Sequence, residues 1–93
     1  MRRREHFTVR YQGNPQGVGI LAGLLRRRGL KVSGDLSLSL PYPGQQWLIR
    51  RDFVESYGTV LEVRGRDNAR GSAVAAIFEF ETLYPDAASI EID

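Results

Sequence analysis

Two separated stretches of this 93-residue chain follow the same order of events, and that order limits the fold more than any single motif does. The first runs His6-Phe7-Thr8-Val9-Arg10-Tyr11, then the turn-rich "QGNPQG", a helix-like stretch, and Leu30-Lys31-Val32. The second runs Thr59-Val60-Leu61-Glu62-Val63-Arg64, then "GRDNARG", another helix-like stretch, and Ser89-Ile90-Glu91-Ile92. Each reads strand–helix–strand, because short alternating apolar runs give way to glycine and asparagine and then to helical spacing. The likeness is one of pattern rather than identity, a pseudo-repeat.

The first helix announces both of its ends. Asn14 is a favoured N-cap residue, and Pro15 at the first helical position gives up only an amide that has no partner there. Val18, Leu21, Ala22 and Leu25 form an i, i+3, i+4, i+7 stripe, widened by Ile20 and Leu24. Arg26, Arg27 and Arg28 fall in the last turn, where cations complement the helix dipole, and Gly29 suits the left-handed position beyond the cap. Gly17, Gly19 and Gly23 each weaken the helix by ~1 kcal/mol relative to alanine. Packing must offset this, and a glycine face permits close approach of a sheet, a helix or a ligand.

The cleanest strand follows. Leu30, Val32, Gly34, Leu36, Leu38 and Leu40 alternate with Lys31, Ser33, Asp35, Ser37 and Ser39, so one face is buried and one wet. At residues 30–40 it is long against a typical ~5–6 residues. Either Gly34 bends it or it projects beyond its neighbours, and Pro41-Tyr42-Pro43-Gly44 stops it. In residues 45–58, Trp47-Leu48-Ile49 reads as a short strand and Arg51 to Tyr57 as a helical turn or two. Residues 59–65 form a strand. Residues 68–84 form the second helix, with Ala73, Ile77, Phe80 and Tyr84 on one stripe, although Phe78-Glu79-Phe80-Glu81-Thr82 also alternates as a strand would. Pro85 ends it, and residues 89–93 make the last strand. The sum is an α+β fold of order βαββαβ, a four-stranded antiparallel sheet with two helices on one face: the ferredoxin-like arrangement. The strand at 30–40 then lies on a sheet edge, where an alternating Leu/Ser edge invites pairing with a second copy.

Composition bounds what such a sheet can do. Hydrophobic residues at 42% and charged residues at 26% fit an ordinary globular chain. At this length it is a single domain, 1–93, with residues 1–5 a flexible basic arm, and it buries roughly 60–65% of its extended surface. No apolar run reaches the ~20 residues of a membrane span, and Met1-Arg2-Arg3-Arg4 is not followed by a signal-like apolar segment, so the expectation is a cytoplasmic chain without membrane contact. Without cysteine there is no disulfide, thiolate metal site or thiol nucleophile. Residues 1–51 hold ten Lys or Arg against two acids, and residues 52–93 three against nine. Two readings fit: two solvated faces, or a bipolar surface that pairs head-to-tail with copies of itself or attracts an anion.

Catalytic constellations are missing. His6 precedes the first strand with no serine or acid at a recognisable spacing, which favours a solvated role. Asp52 with Glu55, and Glu79 with Glu81, read as solvated acids rather than a general acid–base pair. No spacing suits a metal, and none implies a cofactor. Glycines before a helix expose amides to an anion, but there is no Walker lysine and no G-x-G-x-x-G. A sheet of this type also binds RNA by stacking bases on central-strand aromatics. The first strand offers Phe7 and Tyr11, the third offers none and carries Glu62, so nucleic acid is disfavoured. Tyr42 and Trp47 flank a proline-rich turn and read either as a recognition loop or as a cap on the core.

Residues 14–32, "NPQGVGILAGLLRRRGLKV", resemble an ACT domain, whose first β-α-β unit reads Asp/Asn-x-Pro-Gly, an aliphatic helix, then Gly-aliphatic-x-aliphatic. Pro15, Leu21, Leu24, Leu25, Gly29, Leu30 and Val32 fit. Gln16 stands where that family has its loop glycine, which arrives at Gly17. The resemblance implies binding of an amino acid or similar small effector near Gly13, Asn14, Gln16 and Gly17, at an interface between copies. The connection between the second and third strands departs from that family's tight hairpin. Gln16-Gly17-Val18-Gly19 also resembles the phosphate loop of acylphosphatase, Gln-Gly-Val-Gly-Phe-Arg. Ile20 replaces the aromatic and Leu21 the catalytic arginine, and Ser33-Gly34-Asp35 stands near the place of that family's asparagine, so the resemblance implies no working acylphosphatase. Tyr11-Gln12-Gly13-Asn14-Pro15 and Phe80-Glu81-Thr82-Leu83-Tyr84-Pro85-Asp86-Ala87 resemble the start and end of small uncharacterised actinobacterial proteins.

The expectation is therefore a small non-enzymatic regulatory or protein-interaction module, self-associating through residues 30–40, with ACT-like effector sensing at Gly13, Asn14, Gln16 and Gly17. Arg26, Arg27, Arg28, Tyr42 and Trp47 are the candidate contacts with protein partners. The alternative is an anion-binding or hydrolase domain using the 13–19 loop, and the third is an RNA-binding sheet. The arginines stand ~20 Å from the loop along the helix, at 1.5 Å per residue, so they do not easily serve one ligand with it within one chain.

Overall fold

The computed structural model describes residues 3–34 and 57–93, which form β1 (Glu5–Gly13), α1 (Pro15–Arg27), β2 (Lys31–Gly34), β3 (Tyr57–Gly65), α2 (Ala69–Leu83) and β4 (Ala88–Ile92). The strands make one sheet in the order β2-β3-β1-β4. β3 pairs antiparallel with β1 from Glu5↔Gly65 to Gly13↔Tyr57, and with β2 from Lys31↔Arg64 to Gly34↔Leu61. β4 pairs antiparallel with β1, Val9 facing Ile92. Each β-α-β unit thus leaves a gap of one strand that the other unit fills, and the two repeats interleave into the ferredoxin-like βαββαβ sandwich.

Alternation decides which face is covered. Phe7, Val9 and Tyr11 of β1 and Leu61 and Val63 of β3 are buried beneath the helices. Val18, Leu21, Leu24 and Leu25 of α1 and Ala73, Ala76, Ile77 and Phe80 of α2 complete that core. The other face presents Arg10 and Gln12 from β1 and Arg64 from β3 to solvent. Phe80 meets the Tyr11 ring edge-on at 6.1 Å and the Tyr84 ring at 5.4 Å, joining the helix layer to the central strand.

The α1 signals act as their chemistry requires. The Asn14 side chain accepts from the Gln16 amide at 2.9 Å, Pro15 opens the helix, and Gly29 takes φ +84° just past the Arg28 cap. Gly29 donates its amide to the Arg26 carbonyl at 2.9 Å.

Several boundaries differ from the sequence reading. Tyr57 opens β3 and pairs with Gly13 rather than closing a helical turn. Residues 78–82 are helical: the alternation there places Phe80 in the core and leaves Phe78 71% exposed on the opposite side of α2. His6 lies inside β1 rather than ahead of it, opposite Arg64. Of the strand expected at 30–40, Lys31–Gly34 form β2 at one end of the strand order, with Leu30 buried just before it. Its continuation from 35 to 40, the proposed elements at 45–56, and Tyr42 and Trp47 lie outside the described residues.

Candidate functional site

The loop between β1 and α1 is built around Asn14. This residue is 3% exposed, and its main-chain amide, its carbonyl and its side-chain oxygen all have partners within the chain. Its amide donates to the Ala87 carbonyl at 2.9 Å, and its carbonyl accepts from the Gly17 amide at 3.0 Å and from the Tyr11 hydroxyl. Gly13 lies against β4, where a Cβ would overlap the Ala87 carbonyl and sit 2.6 Å from the Ala88 Cα. Gly17 is buried, and a Cβ there would overlap the Tyr11 hydroxyl and stand 2.9 Å from the Phe80 ring. Gln16 is half-buried beside them. The structure thus brings Gly13, Asn14, Gln16 and Gly17 together, and it gives the two glycines neighbours of their own: a strand backbone and two core aromatics. Burial also pushes the ionisation of the Tyr11 hydroxyl well above its ordinary value of 10.0, which keeps it a donor.

The three arginines at the other end of α1 separate in role. Arg26 donates to the Val32 carbonyl at 3.0 Å, fastening the helix end to β2. Arg27 and Arg28 both approach Glu79 of α2, at 3.9 and 3.7 Å, long contacts on the surface that add little stability.

Across the open face of the sheet the side chains are polar except for Val60, which is exposed, and several are engaged with one another. His6 Nε2 meets Glu62 Oε2 at 2.8 Å, and Asp93 accepts from both Arg10 Nε and Thr8 Oγ1 at 3.0 Å. The aromatics that an RNA-binding reading would use, Phe7 and Tyr11, are not on this face. Both are buried under the helices, because the odd positions of β1 point to the core, and they offer no base a stacking surface.

Two surface features were not foreseen. One is a cleft of about 670 Å³ at the edge of the sheet where β1 begins, β3 ends, and the α1–β2 and β3–α2 turns meet. Its wall carries Arg4, Arg28, Lys31, Arg64 and Arg66. The other is the outer side of α2, where Val74, Phe78 and Leu83 are 53%, 71% and 55% exposed. With Gly71, Ala75 and Thr82 they line a shallow, mainly apolar groove. Only the second had a sequence signal: Val74 and Phe78 lie four residues apart, off the stripe formed by Ala73, Ile77 and Phe80. The five cations come from three separate segments, so their convergence needs the fold. Among the described residues no three His, Asp or Glu side chains gather as metal ligands do, and no helix is long and apolar enough to cross a membrane.

The chain matches no family model, no curated protein and no solved structure.

Proposed function

We propose that the chain is a non-enzymatic protein-interaction module that self-associates, two copies meeting along the outer side of α2. The observation that carries this is the exposure of Val74, Phe78 and Leu83 on a helix whose opposite side is fully in the core. Scattered surface hydrophobes are ordinary, but a contiguous groove of them marks an interface.

The pattern along the helix favours a second copy as the occupant. The bulky side chains Phe78 and Leu83 lie in its C-terminal half, and the small Gly71 and Ala75 in its N-terminal half. An antiparallel pair about a two-fold axis lays each bulky half on the other copy's small half, with Phe78 over the Ala75 of its partner. Such isologous packing is the commonest way for identical chains to close. It also sets the two helix dipoles antiparallel. The ACT resemblance of residues 14–32 supports the same reading, since that family works through contacts between copies. The effector role at Gly13, Asn14, Gln16 and Gly17 gains less support, because these groups are consumed by Tyr11, Phe80 and Ala87.

Sedimentation velocity over a wide concentration range tests the proposal. The chain should sediment as a dimer at high concentration, and Phe78→Glu should hold it monomeric with an unchanged far-ultraviolet circular dichroism spectrum. A chain that stays monomeric throughout, or a dimer indifferent to Phe78→Glu, would overturn it.

A further inference from the structure

We infer that the cleft between the α1–β2 turn and the β3–α2 turn binds a small organic phosphate carrying two or more negative charges. Five cationic side chains, Arg4, Arg28, Lys31, Arg64 and Arg66, share this cleft with two carboxylates, Glu5 and Asp67. Both carboxylates are already held by main-chain amides. Glu5 accepts from the Arg70 amide at 3.1 Å and Asp67 from the Arg3 amide at 2.6 Å. Neither forms an ion pair with a cleft cation among the described residues. The one cleft cation with a carboxylate in reach there is Arg28, 3.7 Å from Glu79.

The register makes the excess charge costly. Lys31 stands directly opposite Arg64 on β3, and Arg64 directly opposite His6 on β1, so one row across three strands holds three nitrogen bases and no acid. Like charges opposed across strands destabilise a sheet. His6 is relieved by Glu62 in the next row, whereas Lys31 and Arg64 have no acid opposite them. A bound polyanion would turn that repulsion into attraction.

Chemistry and size narrow the ligand. Four of the five cations are arginine, whose planar fork takes phosphate oxygens in pairs. The volume of about 670 Å³ lies in the range of small-molecule pockets, more than a bare ion needs. Leu30 and Ala69 supply an apolar floor packed against Gly65, and Gly29, with no atom within 4 Å of where a Cβ would stand, leaves the main chain open to close approach. A nucleic-acid strand fits less well. Beyond Arg64 the open face carries the acids Glu62, Glu91 and Asp93, the first and last paired with His6 and Arg10, and among the described residues no Phe, Tyr or Trp lines the cleft.

Titrating inorganic pyrophosphate into the isotope-labelled chain, followed by amide chemical shifts, tests this. Saturable shifts are expected at Gly29, Lys31, Gly65 and Arg66, with none at Gln12 or Ser89 at the far end of the sheet. Arg64→Gln and Arg66→Gln should each weaken binding at least about tenfold, the effect of losing one charge-assisted hydrogen bond, without altering the remaining spectrum. Arg10→Gln on the open face should leave it unchanged. Absence of saturation, shifts spread over all basic residues, or indifference to the Arg64 and Arg66 substitutions would overturn the inference. So would displacement of pyrophosphate by a single-stranded RNA oligonucleotide that also shifts the open sheet face, because the surface would then belong to nucleic acid. The Phe78→Glu monomer should bind pyrophosphate as the parent chain does, so this result and the dimer's fate are read separately.

Discussion

Gly17 and Gly23 lie six residues apart on one helix and look alike in the sequence, yet only one of them touches anything. A Cβ at Gly17 would collide with the Tyr11 hydroxyl and the Phe80 ring, whereas one at Gly23 would meet no atom within 4 Å. Gly17→Ala should therefore destabilise the fold by about 1–3 kcal/mol through overpacking, even though alanine favours the helix. Gly23→Ala should stabilise it by about 1 kcal/mol, the ordinary helix preference. Urea midpoints of the two variants check the opposite signs. Asn14 and Pro15 were legible because a cap is local chemistry. The need for glycine at 17 was not, because its neighbours lie on β1 and α2. Tyr11 belongs to the same contact. Its hydroxyl is harder to ionise folded than unfolded, so it contributes stability that is complete below about pH 10 and is lost as the pH rises past that value. The parent chain should lose urea resistance above pH 10 more steeply than Tyr11→Phe. At neutral pH that variant should be weaker by about 1 kcal/mol, for one hydrogen bond.

At the scale of an element, α2 shows both what periodicity reveals and what it hides. Of the expected stripe, Ala73, Ile77 and Phe80 are buried, while Tyr84 is half-buried at the cap just beyond the helix; the competing alternation of residues 78–82 arises because Phe78 and Phe80 point to opposite sides of the helix. The helix start had a weaker local signal. Asn68 sits in the left-handed region at φ 63° and makes no side-chain cap. The cap comes instead from Glu5, 65 residues away, which takes the Arg70 amide while Arg70 lies 5.1 Å over the Phe7 ring. Glu5→Ala should then cost about 1 kcal/mol, the usual value of a lost helix cap, and fray the first turn of α2. Faster amide exchange at Arg70, with α1 unaffected, is the expected reading. The edge position of β2 was legible for a different reason: once two β-α-β units interleave, the second strand has only an edge to occupy.

At the scale of the molecule, the charges of the two halves of the chain mix among the described residues. Arg64 and Arg66 from the acidic half join Arg4, Arg28 and Lys31 from the basic half in one cleft, while Glu62 and Asp93 are spent on His6 and Arg10. Such convergence depends on register and turn position, which composition does not encode. The apolar outer side of α2 is the other property that emerges only when the inner side is known to be filled. The cysteine-free sequence makes its role directly testable. A single cysteine at Ala75, in the hollow where the partner's Phe78 is placed, can be treated with a short bifunctional maleimide and compared with Ser89→Cys on the open sheet. The account predicts a covalent dimer for Ala75→Cys and a monomer for Ser89→Cys. Crosslinking through Ser89→Cys alone, or through neither, would contradict it.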